Sequence, residues 1–340
     1  MKNDNNSSEN QVTTPVSGPS NRPSGRPEFE GTTAEEAGGA SSALGSDSIP
    51  FSGIPTLSAG AAPVNKKSTK LSRAQLVEIE AKLSARDHAV LQAIRKYRFL
   101  TSDQIGRLYL SDCTTKTSRT RNQNLLLQRL GGYGLIAPLA RRVGGFGGGS
   151  TLQVWHLTEA GMRLLSLNDP GVPPRKRFLE PSTTFLEHTL AIAECAVQLT
   201  CLCRDSHDLA LEMVDAEPTC WRRYKDGDKV NYLKPDLYAI TEYGGYEDHW
   251  FIEMDLGTES LSQILDKCNM YLRYYYTGIE QKATEMFPLV VWLVKDSERK
   301  NNIKTYIREN LKDLPKMFLV ITPDELEKMI RQFIGTEELC

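Results

Sequence analysis

Two short segments constrain the fold of this chain more than any others: KPDLYAIT (234–241) and HWFIEMDLGTES (249–260). Each carries an apolar, β-prone run that begins or ends in carboxylates. Asp236 follows a proline at the head of the first. Glu253 and Asp255 leave the second with only Met254 between them. Side chains two apart in a strand share a face, so Glu253 and Asp255 point the same way. If the two strands are neighbours, Asp236 lies beside them. Three carboxylates on one sheet face repel one another unless a divalent cation or water separates them. An oxygen-only set of this kind suits Mg²⁺ or Mn²⁺.

Charge is distributed unevenly. The net charge of −2 over 340 residues conceals 12 Lys/Arg against 4 Asp/Glu in 84–167, and 18 against 29 from 180 to the end. A basic module joined to an acidic one points to a polyanion as the partner of the first. The seven cysteines are odd in number, scattered and free of any Cys-x-x-Cys pair, as in a reduced intracellular protein rather than a disulfide scaffold. Cys201, Cys203 and His207 lie close in sequence, but the two thiols diverge on a helix, which disfavours zinc. The N-terminus lacks an apolar signal core, and the longest apolar run, 287–294, is too short to span a bilayer. The expectation is a soluble, cytoplasmic protein with no membrane partner.

Residues 1–68 are rich in Ser, Gly, Pro, Asn and Thr, with Phe29 and Phe51 as their only aromatics. They bury too little apolar surface to offset ordering entropy, so a disordered tail is expected. A first folded module is expected over 69–167. Ser84 with Asp87 resembles a capping box, a second helix begins near Thr101, and a third runs from about 116 to 130 and closes on Gly131-Gly132. Two strands around the glycine-rich stretch GGFGGGS (144–150) follow, then a short helix. Three helices and a two-stranded ribbon make a winged helix-turn-helix. Its third helix carries Arg119, Arg121, Asn122, Asn124, Gln128 and Arg129, and its wing Arg141 and Arg142. These groups bond phosphates and base edges, so double-stranded DNA is the expected partner. A solvated face on a protein-interaction winged helix is the competing interpretation.

After a Pro-rich linker at 168–179, the remainder (180–340) reads as α-β-β-β-α-β with an added αβ pair, a mixed sheet flanked by helices. PLVVWLV (288–294) has the composition of a central strand buried on both faces. The fold class is therefore α+β.

The C-terminal order and its carboxylates resemble the PD-(D/E)xK nuclease superfamily, a restriction-endonuclease-like fold. Pro235-Asp236 corresponds to "PD", and Glu253-Met254-Asp255 to "ExK". More narrowly, a winged helix followed by KPD, FIEMDLGTES and KCNMYLRYY resembles the replication-relaxation family of plasmids and mobile elements, over about 84–325. That resemblance implies a role in replication or DNA relaxation beside a plasmid replication or mobilisation protein. It implies Asp236 and Glu253 as catalytic metal ligands for Mg²⁺ or Mn²⁺. One position departs from the pattern: Asp255 stands where the superfamily has Lys. Lys267, on the next helix, is the natural substitute, with Asp255 as a further metal ligand. Glu187, seven before Glu194 on the first helix, would be the extra acidic ligand some members use, with His188 a local hydrogen-bonding partner. Tyr271, Tyr274, Tyr275 and Tyr276 resemble a base-stacking platform, or else helix packing. Thr258 or Asp255 could cap that helix. Two functions stay open: a metal-dependent DNA-nicking accessory protein, and a non-enzymatic regulator or adaptor on a degenerate nuclease fold. Self-association as a homodimer is compatible with either.

Overall fold

The computed structural model describes residues 70–140, 153–168, 179–311 and 316–332. The expected tail, Arg141 and Arg142, the glycine-rich stretch, and all but the ends of the Pro-rich linker lie outside them. The described residues make one compact unit.

Its N-terminal part contains helices α1 (Arg73–Glu80) and α2 (Ala85–Tyr97), strand β1 (Leu100–Thr101), and helices α3 (Ser102–Tyr109) and α4 (Lys116–Gly132). Strands β2 (Ile136–Pro138) and β3 (Val154–Leu157) and helix α5 (Glu159–Asn168) follow. Ser72, Ser84, Thr101 and Thr115 cap the first four helices, each in a reciprocal capping box with the residue three further on. Each box satisfies amides that the first turn leaves unpaired. The three strands form an antiparallel sheet in the order β1-β3-β2. The two-residue strand β1 has no signal in the sequence, because it exists only by pairing with β3.

Asp87 ties this part together. It is 1% exposed, accepts from the Ser84 amide at 2.9 Å and the Ser84 hydroxyl at 2.7 Å, and pairs with Arg129 of α4 at 2.5 Å. Burial works to raise its carboxyl, but the Ser84 bonds and Arg129 outweigh this and hold it below the ordinary carboxylate value.

The C-terminal part is built on a five-stranded sheet. Its elements are α6 (Thr183–Arg204), β4 (Leu209–Ala216), β5 (Arg222–Asp226), β6 (Lys229–Leu233), β7 (Leu237–Tyr243), β8 (Tyr246–Asp255) and α7 (Leu261–Thr277). Then come α8 (Ile279–Thr284), β9 (Leu289–Val294), α9 (Ser297–Asn310), β10 (Phe318–Ile321), a 3₁₀ turn (Pro323–Glu325) and α10 (Leu326–Gln332). The strand order is β10-β9-β8-β7-β4. The β4–β7 and β7–β8 pairs are antiparallel, whereas the β8–β9 and β9–β10 pairs are parallel. This is the mixed, helix-flanked sheet of an α+β protein. Strand β9 lies between two partners and is buried on both faces, as its unbroken apolar run predicts. Gly244 and Gly245, with φ of 60° and 84°, turn β7 into β8, a conformation other residues adopt at a cost.

Alternation along the strands sorts the core into layers. Trp250, Ile252, Met254, Val291 and Leu293 join Ile192 and Ala193 of α6 in a cluster that continues into the N-terminal helices. Phe251 and Val290 face the other way, onto Tyr271 and Tyr274 of α7. Trp292 and Val294 pack against Ile264, Cys268 and Ile303 on that same side. Glu253 and Asp255 therefore belong to the face covered by α7 and α9. Strands β5 and β6 pair only with each other, as a separate ribbon inserted before β7. Among the described helices, α6 is long and apolar enough to cross a bilayer. Here it packs between the sheet and α3 through buried residues such as Leu186, Ile192 and Leu199.

Asp87→Asn is expected to lower unfolding free energy by about 1–3 kcal/mol, since it weakens a buried ion pair and a helix cap together. A carboxyl held below its unfolded value stabilises above that value and loses the effect as pH falls through the folded one. Urea melts from neutral pH into the acid range should show the gap between wild type and variant closing as the medium acidifies.

Candidate functional site

The register between β7 and β8 builds the site. Leu237 faces Ile252 and Tyr238 faces Phe251, so Asp236, one residue before β7, comes opposite Glu253. Asp236 Oδ2 accepts the Met254 amide at 2.8 Å, and His188 Nε2 of α6 meets Oδ1 at 3.2 Å. Glu253 Oε1 accepts the Tyr271 hydroxyl at 2.6 Å, while Lys267 Nζ stands 3.2 Å from Oε2 and 2.8 Å from Glu259 Oε1. Lys267 and Tyr271 are four apart on α7, hence on one helix face. Both reach back over the sheet to the same carboxylate.

Electrostatics here is set by burial. Glu253 is 2% exposed. Burial first, and then the like charge of Asp236, push its carboxyl up to about 8 against the pull of Lys267 and Tyr271. Burial would lower Lys267, but Glu253, Glu259 and Asp236 outweigh it and keep the ammonium protonated. Burial also drives the Tyr271 phenol well above its ordinary value, with Glu253 adding to the effect. The Asp236 bond raises the imidazole of His188.

Asp255 is occupied elsewhere. Arg299 Nε of α9 lies 2.6 Å from Oδ2 and a terminal guanidinium nitrogen 3.2 Å from Oδ1, and the Gly257 amide donates to Oδ1 at 3.1 Å. Arg299 also donates to the Glu259 carbonyl. Asp255 thus fastens α9 to the loop between β8 and α7. Nothing in the sequence marks Arg299, because it lies 44 residues from its partner. The cap of α7 is Ser260 in a box with Gln263, rather than Thr258 or Asp255. Glu187 is exposed on α6, and its neighbour His188 makes the contact with Asp236. Glu194 turns instead to α3, where it binds Arg107 at 2.6 Å and Gln104 at 3.1 Å.

Among the described residues no group of three or more His, Cys, Asp or Glu side chains is arranged to hold a metal ion. The donors brought together are two carboxylates, Asp236 and Glu253. That pair fits a hard cation such as Mg²⁺, which keeps several waters and takes one or two carboxylates along with substrate phosphate oxygens.

The α4 surface is separate. Arg121, Asn124 and Gln128 are exposed and line an open groove with Lys116, Thr120 and Leu125, and Arg119 is half-buried. Arg129 differs from the other α4 residues named for DNA contact, being held by Asp87. Tyr271 and Tyr274 are buried in the core cluster with Tyr224 and Phe251 and only Tyr276 is well exposed, so the tyrosine row of α7 packs more than it presents.

Glu253→Gln should change how stability depends on pH. A carboxyl whose folded pKa exceeds its unfolded one binds more protons when folded, so its contribution is full at low pH and falls as pH rises through the interval. Between about pH 5 and 8 the wild type should lose up to about 1.4 kcal/mol per pH unit more than Glu253→Gln, read by urea midpoints across that range.

The replication-relaxation family model matches residues 91–290, from within α2 to the start of β9. Searches of curated proteins and of solved structures find no match. That match covers more than half of the chain and both halves of the structure, and on it the protein belongs to the replication-relaxation family.

Proposed function

We propose that this chain is a DNA-binding accessory protein in the replication or relaxation of a plasmid or mobile element, with metal-dependent nicking of DNA. In this reading α2, α3, α4 and the β1-β3-β2 sheet are a winged helix, and α6 through β10 a PD-(D/E)xK nuclease-like domain. The observation that carries it is Asp236 standing opposite Glu253 with the Lys267 ammonium at the same carboxylate. Family membership supports the replication or relaxation role.

Asp236 and Glu253 would hold Mg²⁺ or Mn²⁺, which supplies charge neutralisation and an acidified water. The chain's own residues do the rest. His188 and the Met254 amide orient Asp236, and Tyr271 orients Glu253. Lys267, already beside Glu253, would offer its ammonium to the negative charge that builds on the phosphoryl oxygens. Arg121, Asn124 and Gln128 would dock duplex DNA, joined by Arg119, Arg141 and Arg142, with Arg129 supporting α4 from within. A plasmid replication or mobilisation protein is the natural partner, and the cytoplasm the compartment where such DNA lies.

One observation favours the non-enzymatic alternative. The third motif position, Asp255, is sealed by Arg299 and 1% exposed, leaving Lys267 as the one lysine or arginine in contact with Glu253 among the described residues.

Supercoiled plasmid incubated with Mn²⁺ should relax with wild type. Asp236→Ala should abolish the product, and Lys267→Ala should slow it by about 10²–10³-fold. Wild type that shifts the plasmid on a gel yet leaves it supercoiled would establish the regulator instead. Arg121→Ala should weaken duplex binding and make the slope of log affinity against log salt shallower by about 1 if Arg121 contacts a phosphate. An unchanged slope and affinity would remove α4 from the interface.

A further inference from the structure

The β5–β6 ribbon is anchored on one side only. Arg222 grips Glu280 with contacts of 3.1 Å, Tyr224 lies on Tyr274 with ring centroids 5.0 Å apart, and Leu233 is buried. Alternation sends Arg223, Lys225, Val230 and Tyr232 outward. Arg223 is directly across from Tyr232, and Lys225 from Val230. All four are exposed, Tyr232 at 49% and Val230 at 42%. Neither Arg223 nor Lys225 enters an ion pair among the described residues. The local charge runs against its surroundings: 221–234 holds five basic and two acidic residues, within a half of the chain where acids prevail. The ribbon ends in Lys234 and Pro235, and Asp236 follows at once.

We propose that the outer face of this ribbon binds single-stranded DNA and leads it toward Asp236. The inference deepens the proposed function and rests on its DNA-binding part. Arg223 and Lys225 offer charge to consecutive phosphates. Across from Arg223, and two residues along the same strand from Val230, Tyr232 offers a ring. In a duplex the bases are already stacked on one another and that ring finds only sugar and phosphate. In an unpaired strand a base is free to stack on it. A strand held in this way would be delivered along the ribbon to the two carboxylates at its foot.

The test is fluorescence anisotropy on the full chain in EDTA, with labelled oligo(dT) and a labelled duplex of equal length. Tyr232→Ala is expected to weaken oligo(dT) binding at least about tenfold while duplex affinity stays within about twofold. Tyr232→Phe should restore it, and Arg223→Glu should weaken it. Unaltered oligo(dT) affinity in Tyr232→Ala, with an unaltered thermal melt, overturns the proposal. So does an equal loss on both probes, which would make the ribbon a duplex-backbone contact. So does a Tyr232→Ala variant that sediments as monomer where wild type is a dimer, which would mean a second copy covers this face. Because no divalent cation is present, the result is independent of nicking. An inactive nuclease with ribbon-dependent oligo(dT) binding, and an active one whose binding ignores Tyr232, are separate outcomes.

Discussion

Seven consecutive pairs, from Leu237 opposite Ile252 to Tyr243 opposite Tyr246, zip β7 to β8, and the next pair in register is Asp236 with Glu253. At that position the backbone ladder gives way to a side chain, for the Met254 amide donates to the Asp236 carboxylate rather than to a carbonyl. A buried amide must find an acceptor, so Asp236 completes the sheet as well as furnishing a charge. A slip of one residue would carry Glu253 and Asp255 to the α6 face and bring Trp250, Ile252 and Met254 to the other. Both core clusters therefore enforce the register that sets two carboxylates side by side.

That juxtaposition costs free energy, and the surrounding side chains show how it is offset. Burial and the neighbouring Asp236 press Glu253 toward its protonated form, and only donors close at hand oppose them. Tyr271 and Lys267 supply them from one face of α7, with the Lys267 ammonium also 5.5 Å from the centroid of the Trp292 ring. The third acidic residue is drained of influence by Arg299, which converts Asp255 from a repelling neighbour into an anchor for α9. One cation sits in reserve for the Asp236–Glu253 pair and another is spent on architecture. Both carboxylates that end β8 are thus paired, Glu253 with Lys267 and Asp255 with Arg299.

Local chemistry made much of this legible in advance. Ser84 and Asp87, Thr101, and the Gly244-Gly245 turn announce themselves within a few residues, because caps and tight turns are short-range. The unbroken apolar run of β9 marks its central place, and alternation correctly sets Glu253 and Asp255 on one face. The family resemblance calls for a lysine near Glu253, and the next helix brings Lys267 there. What escaped is non-local. Arg299 meets Asp255 only because α9 packs beside α7, β9 and β10, and β1 exists only against β3. On α6 a difference of one position, about 100° of helix, decides that His188 rather than Glu187 faces Asp236. Without knowing which stripe of α6 packs on the sheet, the sequence leaves both in contention.

That stripe also settles how the two halves are joined. Helix α6 lies on the sheet through Ile192 and Ala193 and on α3 through Glu194, which binds Arg107 and Gln104. Beside it Lys96 pairs with Asp215, and Arg98 with Glu217 at 3.0 Å. Glu217 in turn donates its amide to the Asp236 carbonyl at 3.1 Å. Alongside these ion pairs, one hydrophobic cluster runs from Leu76 of α1 to Ile330 of α10. Interfaces that permit domain motion are small and polar, whereas a hinge here would have to separate three ion pairs and open that cluster to water. The α4 surface and the carboxylate pair are consequently parts of one compact unit. Whatever binds on α4 meets Asp236 and Glu253 at a distance fixed by the packing of α6, not by the length of a tether.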